Sequence, residues 1–408
     1  MSDASQFVIP RGFRFGAAKA GLKQSGHTDF ALIVADAPAS AAAAFTANRV
    51  IAAPLIIDKE HLQMTKGKVR VAAINAGNAN CAAGQAGLDA AQATCEAIAQ
   101  VLDCQPAEVF PSSTGIIGVP LPAEKLIAAL PEVTANLGSG FEHFLQVAQA
   151  ILTTDTVEKT AFARLEIPNS AGEPREIRIA ALCKGSGMIH PQLVPHATML
   201  VYVLTDAVAE PSVLDGYLRR AIEVSFNRIS VDGDTSTNDT VLLLASGASG
   251  ATVGPENAAF AAALTQVCTS LARQIVADGE GVSHVVELRI EGAATDADAL
   301  KIAKAIAHSP LVKTAWAGSD PNWGRLVAAI GYSGAQIDPE RIDIRFGNLA
   351  ICRDGGRAPD FDEAAAHAYV AQEEFSIFIQ LNQGSGSCIF WTTDLTHEYI
   401  HINADYST

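Results

Sequence analysis

Two rhythms of apolar and polar positions alternate along this chain. Short runs that are unbroken or have period two predict strands at 31–35 (ALIVA), 69–74 (VRVAAI), 241–244 (VLLL), 285–290 (VVELRI), 342–345 (IDIR) and 375–379 (FSIFI). Between them, apolar residues at helical spacing predict helices over 87–102, 123–130, 141–152, 213–226 and 258–276. The last of these closes on Asp278-Gly279-Glu280-Gly281, with the glycines that helix ends favour. Strands and helices interspersed in this way predict an α/β protein. Past residue 282 the elements become shorter, so we expect a core over 1–281 and a smaller C-terminal α/β domain over 282–408. No repeat of solenoid period, low-complexity tract or long linker interrupts the pattern.

The stretch that organises the chain is 181–204. An apolar run ends at Lys184, the loop Gly185-Ser186-Gly187 follows, and Ala197-Thr198-Met199-Leu200 leads into the apolar segment 201–204 (VYVL). The pattern reads as strand, loop, strand, with Thr198 at the mouth of the second strand. A threonine hydroxyl is a poor nucleophile without an adjacent base, and one solution is the residue's own α-amine. That amine is free only if the chain is cut just before Thr198, and small Ala197 suits such a cut. Most Ala-Thr pairs entering a strand are simply packed, so spacing alone makes this the weaker reading. Taken alone, Lys184 is most simply a surface lysine at a strand end.

Composition narrows the class. The 408 residues are 49% hydrophobic and 18% charged, enough for a large core. The formal net charge of −16 argues against nucleic acid or an anionic membrane as partner. Seven cysteines (Cys81, Cys95, Cys104, Cys183, Cys268, Cys352 and Cys388) are scattered singly among apolar neighbours, the pattern of buried free thiols in a reducing compartment. Residues 1–10 lack the basic head and apolar core of a secretory signal, and no apolar run approaches a membrane span. A cytoplasmic location is the expectation.

Several motifs look like chemistry and fail on inspection. His397-Glu398-Tyr399-Ile400-His401 matches H-E-x-x-H, but Trp391, Thr392, Tyr399, Ile400 and Ile402 favour a strand, and no third histidine follows. In a strand, residues four apart lie about 13 Å from each other, too far to share zinc. The loop 230–240 (SVDGDTSTNDT) superficially suggests a calcium loop, yet Thr237 and Leu243 occupy the positions that need glycine and glutamate. It reads as a polar turn that could also wall a site. Gly185-x-Gly187 meets His190 where a third glycine belongs, and no Walker motif or G-x-S-x-G is present. No metal or cofactor is expected.

Four loops nevertheless share one chemistry: Thr114-Gly115, Thr153-Thr154, 184–198 and Gly279-Glu280-Gly281. Each sets hydroxyls, a charge or flexible backbone at an element end, where sites are built. Acyl transfer needs a nucleophile, a base and donors for an oxyanion. Thr198 with its amine could supply the first two, and Thr114 hydroxyl with Gly115 N–H the third.

An ordered set of motifs extends across nearly the whole chain: INAGNAN (74–80), SSTGIIG (112–118), ILTTDT (151–156), CKGSGMIHP (183–191), ATML (197–200), SFNRISVDGDTSTNDT (225–240), DGEG (278–281), SPLVKTAWAGSDPNWGR (309–325) and INADYST (402–408). In these the chain resembles the ornithine acetyltransferase, or glutamate N-acetyltransferase, family of the cyclic arginine pathway. The resemblance implies an αββα sandwich of the self-processing aminopeptidase and ornithine acetyltransferase type, with a smaller C-terminal domain whose tail returns to the site. It implies autocleavage at Ala197-Thr198 into an α chain (1–197) and a β chain from 198, associated as an α2β2 heterotetramer. Thr198 would be the nucleophile and acetyl carrier, with Thr114 and Gly115 as oxyanion hole. Thr154, Lys184, Thr198, Glu280, Asn403 and Thr408 would bind substrate. The implied reaction moves acetyl from N2-acetyl-L-ornithine to L-glutamate, and leaves acetyl-CoA open as a further co-substrate.

One departure stands out: Lys184 and Thr198 are fourteen positions apart, more than in the commoner family pattern, because residues 192–196 (QLVPH) replace a shorter link. We expect a harmless bulge, since ATML is intact. Two rivals remain at this stage, a related self-processing aminopeptidase and an uncleaved homologue retained as a scaffold.

Overall fold

The structure, a computed structural model, describes residues 7–169, 172–191 and 199–405. The chain begins with β1 (Phe13–Ala18), β2 (Phe30–Phe45), α1 (Ala53–Met64), β3 (Lys68–Asn78), α2 (Gly84–Leu102), β4 (Val109–Ile116), α3 (Ala123–Ala135) and α4 (Phe141–Ala150). Next come β5 (Lys159–Pro168), β6 (Pro174–Lys184), β7 (Leu200–Thr205), α5 (Pro211–Glu223), β8 (Ile229–Ser230), β9 (Thr240–Ala245) and α6 (Ala258–Ala277). The remainder is β10 (Val285–Ala293), α7 (Asp296–Ala307), α8 (Pro310–Ala317), α9 (Trp323–Gly331), β11 (Asp343–Phe346), β12 (Leu349–Arg353), β13 (Gly356–Arg357), α10 (Glu363–Val370), β14 (Glu374–Gln380), β15 (Gly386–Thr393) and α11 (His397–Asp405).

The long strand β2 explains the architecture. Its first half pairs with β1 and β3, and its second half, from Ser40, pairs with β9, with a register shift between Val34 and Ala39. The exposed residues Asp36, Ala37 and Pro38 fall at that shift, where proline and a bulge bend a strand without exposing core. One sheet, ordered β4-β3-β2-β9-β7-β6-β5 with β1 on β2, therefore folds back over itself. Side-chain alternation keeps the layers consistent. Ala31, Ile33, Ala41 and Phe45 of β2 meet Leu182, Tyr202, Leu204 and Leu242 in the shared interior. Phe30, Leu32 and Val34 face outward onto α2 and α3, whereas Ala42 and Ala44, with Val201, Val203 and Leu243, face outward onto α5 and α6. Helix, sheet, sheet, helix is the αββα sandwich that the family resemblance implied.

A second sheet runs β13-β12-β11-β14-β10-β15-β8. Its face buries Val286, Leu288 and Ile290 against Ile302 and Ile306 of α7. It also takes β8 from before residue 281, pairing Ile229 with Trp391, and α6 touches both sheets. Among the described residues no helix is long and apolar enough to cross a membrane.

Two expectations are corrected. Thr114-Gly115, read as a loop, lies within β4, because β3 and β4 pair in parallel through Gly77 and Gly115, both at positive φ. Residues 397–401, read as strand, form helix α11. The Thr396 hydroxyl accepts the Tyr399 N–H at 3.3 Å and donates to the Gly281 carbonyl at 2.6 Å. A cap and a docking site outside the segment thus outweigh its β-branched and aromatic neighbours. His397 and His401 are both exposed, and His401 pairs with Asp405 at 3.6 Å. Among the described residues no group of three His, Cys, Asp or Glu could hold a metal ion.

Candidate active site

A cavity of about 110 Å³ opens where the folded sheet meets the loop after α6 and helix α11. Four walls line it: Thr114 and Gly115 from β4, Thr153 and Thr154 after α4, Lys184 at the end of β6 with Gly187 and Met188 beyond it, and Glu280 with Asn403. Met199 and Leu200 close it where β7 begins, and Asn238 and Asp239 where β9 begins. Thr198, Ala197 and Thr408 lie outside the described residues, but Met199, the residue directly after Thr198, is part of the wall.

The β4 wall is built on close backbone contact. Gly115 has φ +131°, and a Cβ there would meet the Gly77 carbonyl carbon at 2.4 Å. Only glycine lets the two strands approach so closely at this φ, and both Thr114 and Gly115 line the cavity. The Asn238 amide fastens the polar loop to this wall, donating to the carbonyls of Ala79 at 2.5 Å and Ser113 at 2.8 Å.

The opposite wall is electrostatic. Lys184 is only 8% exposed, which overturns the reading of it as a surface lysine. Asp155 Oδ2 lies 4.0 Å from its ammonium, while Oδ1 accepts the Gly185 N–H at 2.6 Å. Behind Asp155, fully buried Lys159 bridges to Asp155 at 2.7 Å and to Asp278 at 2.5 Å. Burial alone would raise the Asp155 pKa, but Lys184, Lys159 and the Gly185 N–H together hold it at about 2. Burial also pushes the Lys184 ammonium below its usual range, opposed by Asp155. Breaking such a buried pair from one side commonly costs about 3–5 kcal/mol.

Glu280 lies across Gly187, where a Cβ would meet its carboxylate at 2.3 Å, and accepts from the Asn403 amide at 2.8 Å. Its N–H donates to the Ser186 carbonyl at 3.1 Å, and the Ser186 hydroxyl to the Asp278 carbonyl at 2.6 Å. Met188 takes a left-handed conformation (φ +56°), held by Asp232, whose carboxylate accepts the N–H groups of Met188 and Ile189 at 2.7 and 2.9 Å. A left-handed non-glycine residue persists only where neighbours impose it.

A profile of the ArgJ family matches residues 14–408. The chain belongs to the ArgJ family. Curated ArgJ-family relatives named arginine biosynthesis bifunctional protein ArgJ align over almost their full length. That of Geobacter sulfurreducens is 44% identical over 402 residues, covering 98% of this chain and 99% of its own. That of Thermosynechococcus vestitus is 42% identical over 417 residues, covering 98% and 97%. Among solved structures, the ArgJ of Bacillus halodurans is 44% identical and covers 51% of this chain and 100% of its own, with TM-score 0.49. An ornithine acetyltransferase of Mycobacterium tuberculosis complexed with ornithine is 32% identical, covering 45% and 93%, with TM-score 0.39.

Of the residues singled out in the sequence of this ArgJ-family chain, Thr114, Gly115, Thr154, Lys184, Glu280 and Asn403 all line one cavity. The sequence reading missed Asp155, Lys159, Asp278 and Asp232, which hold the lining residues from behind. The i,i+4 spacing of Asp155 and Lys159 and the acid opening DGEG were the available signals.

Proposed function

We propose that this protein transfers the acetyl group of N2-acetyl-L-ornithine to L-glutamate through an acetyl-Thr198 intermediate, after cutting itself at Ala197-Thr198. In the cut, the Thr198 hydroxyl attacks the Ala197 carbonyl, and the peptide becomes an ester. Breaking the Ala197–Thr198 C–N bond frees the Thr198 amine, and water then hydrolyses the ester, releasing the Ala197 carboxylate and restoring the Thr198 hydroxyl. In turnover, Thr198 Oγ attacks the acetyl carbonyl while its own amine takes the proton and passes it to departing ornithine. The Thr114 hydroxyl and Gly115 N–H receive the oxyanion, each such donor commonly worth about 3 kcal/mol of barrier. Glutamate then enters, its amine attacks the acetyl ester, and Thr198 is regenerated. Lys184 grips the amino-acid carboxylate, and Thr154, Glu280, Asn403 and Thr408 complete the pocket. No cofactor takes part. The word bifunctional in the relatives' names fits acetyl-CoA as a second donor, and we extend the proposal to it and to an α2β2 assembly of the cut chains.

The observation that carries this reading is the joint placement of Met199, Thr114, Gly115, Lys184 and Glu280 on one cavity. That arrangement supports a nucleophile at the mouth of β7, with Thr114 and Gly115 as its donors and the charges of Lys184 and Glu280 for the substrate. The test is Thr198→Ala. It should leave a single 42.6 kDa chain and abolish transfer from acetylornithine to glutamate. Splitting at the same bond, or turnover of a peptide anilide alone by the parent protein, would overturn the assignment.

A further inference from the structure

Lys184 is buried at the end of β6 with charged groups around it on every side. Asp155 approaches from the loop after α4 at 4.0 Å, within ion-pair range but beyond a direct hydrogen bond. The same carboxylate accepts the N–H of Gly185 at 2.6 Å and that of Thr153, a cavity residue, at 3.1 Å. Lys159 on β5 contacts Asp155 from the far side and is shared with Asp278, which also accepts the Thr156 N–H at 3.0 Å. Lys23, from the loop after β1, donates to the carbonyls of Thr28 and Ala150 at 2.8 Å each and adds a third cation. Glu280 and Asp239 add negative charge from the loop after α6 and the start of β9, and the neighbouring Cys183 is a buried neutral thiol. Among the described residues, Asp155 is thus the carboxylate that accepts N–H groups from both the lysine's turn and the threonine wall.

We propose that Asp155 is a positioning residue for Lys184: its carboxylate fixes the Gly185 turn and the Thr153 wall, and keeps the lysine charged for gripping a substrate carboxylate. The inference rests on the acetyltransferase reading for the identity of that substrate. Charge on a desolvated lysine persists only where nearby anions outweigh burial and nearby cations. Asp155 and Lys159 act on Lys184 with opposite sign, and this separates an electrostatic role from a merely structural one. Removing the Asp155 charge lowers the Lys184 pKa, so the lysine is neutral from a lower pH upward. Removing the Lys159 charge raises it, so the lysine stays charged to a higher pH.

The experiment compares the full-length parent protein with Asp155→Asn and Lys159→Gln. It follows the pH dependence of kcat/KM for acetyl transfer and, independently, of ornithine binding by calorimetry, which needs no turnover. The alkaline limb should move down by about one pH unit in Asp155→Asn, a tenfold loss of binding above it, and should move up in Lys159→Gln. Lys159→Gln keeps the Asp155–Gly185 contact and decides the matter by itself if Asp155→Asn does not fold. Limbs that stay in place, or that move the same way in both variants, overturn the proposal. A parent protein that binds ornithine with the expected shifts but transfers no acetyl group would instead overturn the functional reading.

Discussion

At Gly115 even a single methyl group has no room. A Cβ there would lie 2.4 Å from the Gly77 carbonyl carbon and 2.5 Å from Asn78 N, both backbone atoms held by strand pairing. Relief must come from parting β3 and β4, which swings Thr114 and the 114–115 peptide away from the cavity. Gly115→Ala should therefore lower kcat/KM for acetyl transfer by about a hundredfold or more, the scale of losing one oxyanion donor. Steady-state kinetics alongside a melting curve would check it, and near-parental transfer would remove Gly115 from the oxyanion site. This residue was legible in the sequence because a glycine among hydroxyls is conspicuous. Asp155 was not, since an acid after a helix looks like any exposed loop residue. Its burial follows from β5 and α6 closing over it, a contact between segments more than a hundred positions apart.

Among the elements, α11 shows where local pattern gives out. Its composition suits a strand, and it has no fully buried residue of its own. What makes it a helix is Thr396 at its start and the slot at Gly281, where a Cβ would meet Tyr399 N at 2.3 Å. Gly281 has φ +65°, so alanine there adds about 1–2 kcal/mol of backbone strain to the clash. Gly281→Ala should lift α11, part Asn403 from Glu280, and raise KM about tenfold with a smaller change in kcat, as expected for lost uniform binding. An unchanged KM would take α11 out of the cavity wall. The strands of the core, by contrast, announced themselves. β7 and β9 are unbroken apolar runs because both faces are covered, one by the facing half of the sheet and the other by α5 and α6. What such runs do not encode is that β2 serves both layers. Asp36 and Pro38 look like the end of a strand rather than a bend within one.

For the molecule as a whole, the order β4-β3-β2-β9-β7-β6-β5 matters more than any one contact. β7 and β9 lie after the proposed cut and are inserted between β2 and β6, which lie before it. Neither piece can complete this sheet alone, and each would leave unpaired strand edges. The cut protein should therefore stay together in native buffer and part only on unfolding. After denaturation and dilution, recovery of the cut form should fall as concentration falls, while the uncut Thr198→Ala chain should refold independently of concentration. Recovery of native fluorescence over a dilution series would check this, and equal recovery of both forms would refute it. The interleaving also gives the molecule a one-way history. Before the cut, lost structure can be regained by a single molecule. Afterwards two partners must find each other again, so the finished enzyme endures through the slowness of its unfolding rather than through its ability to return.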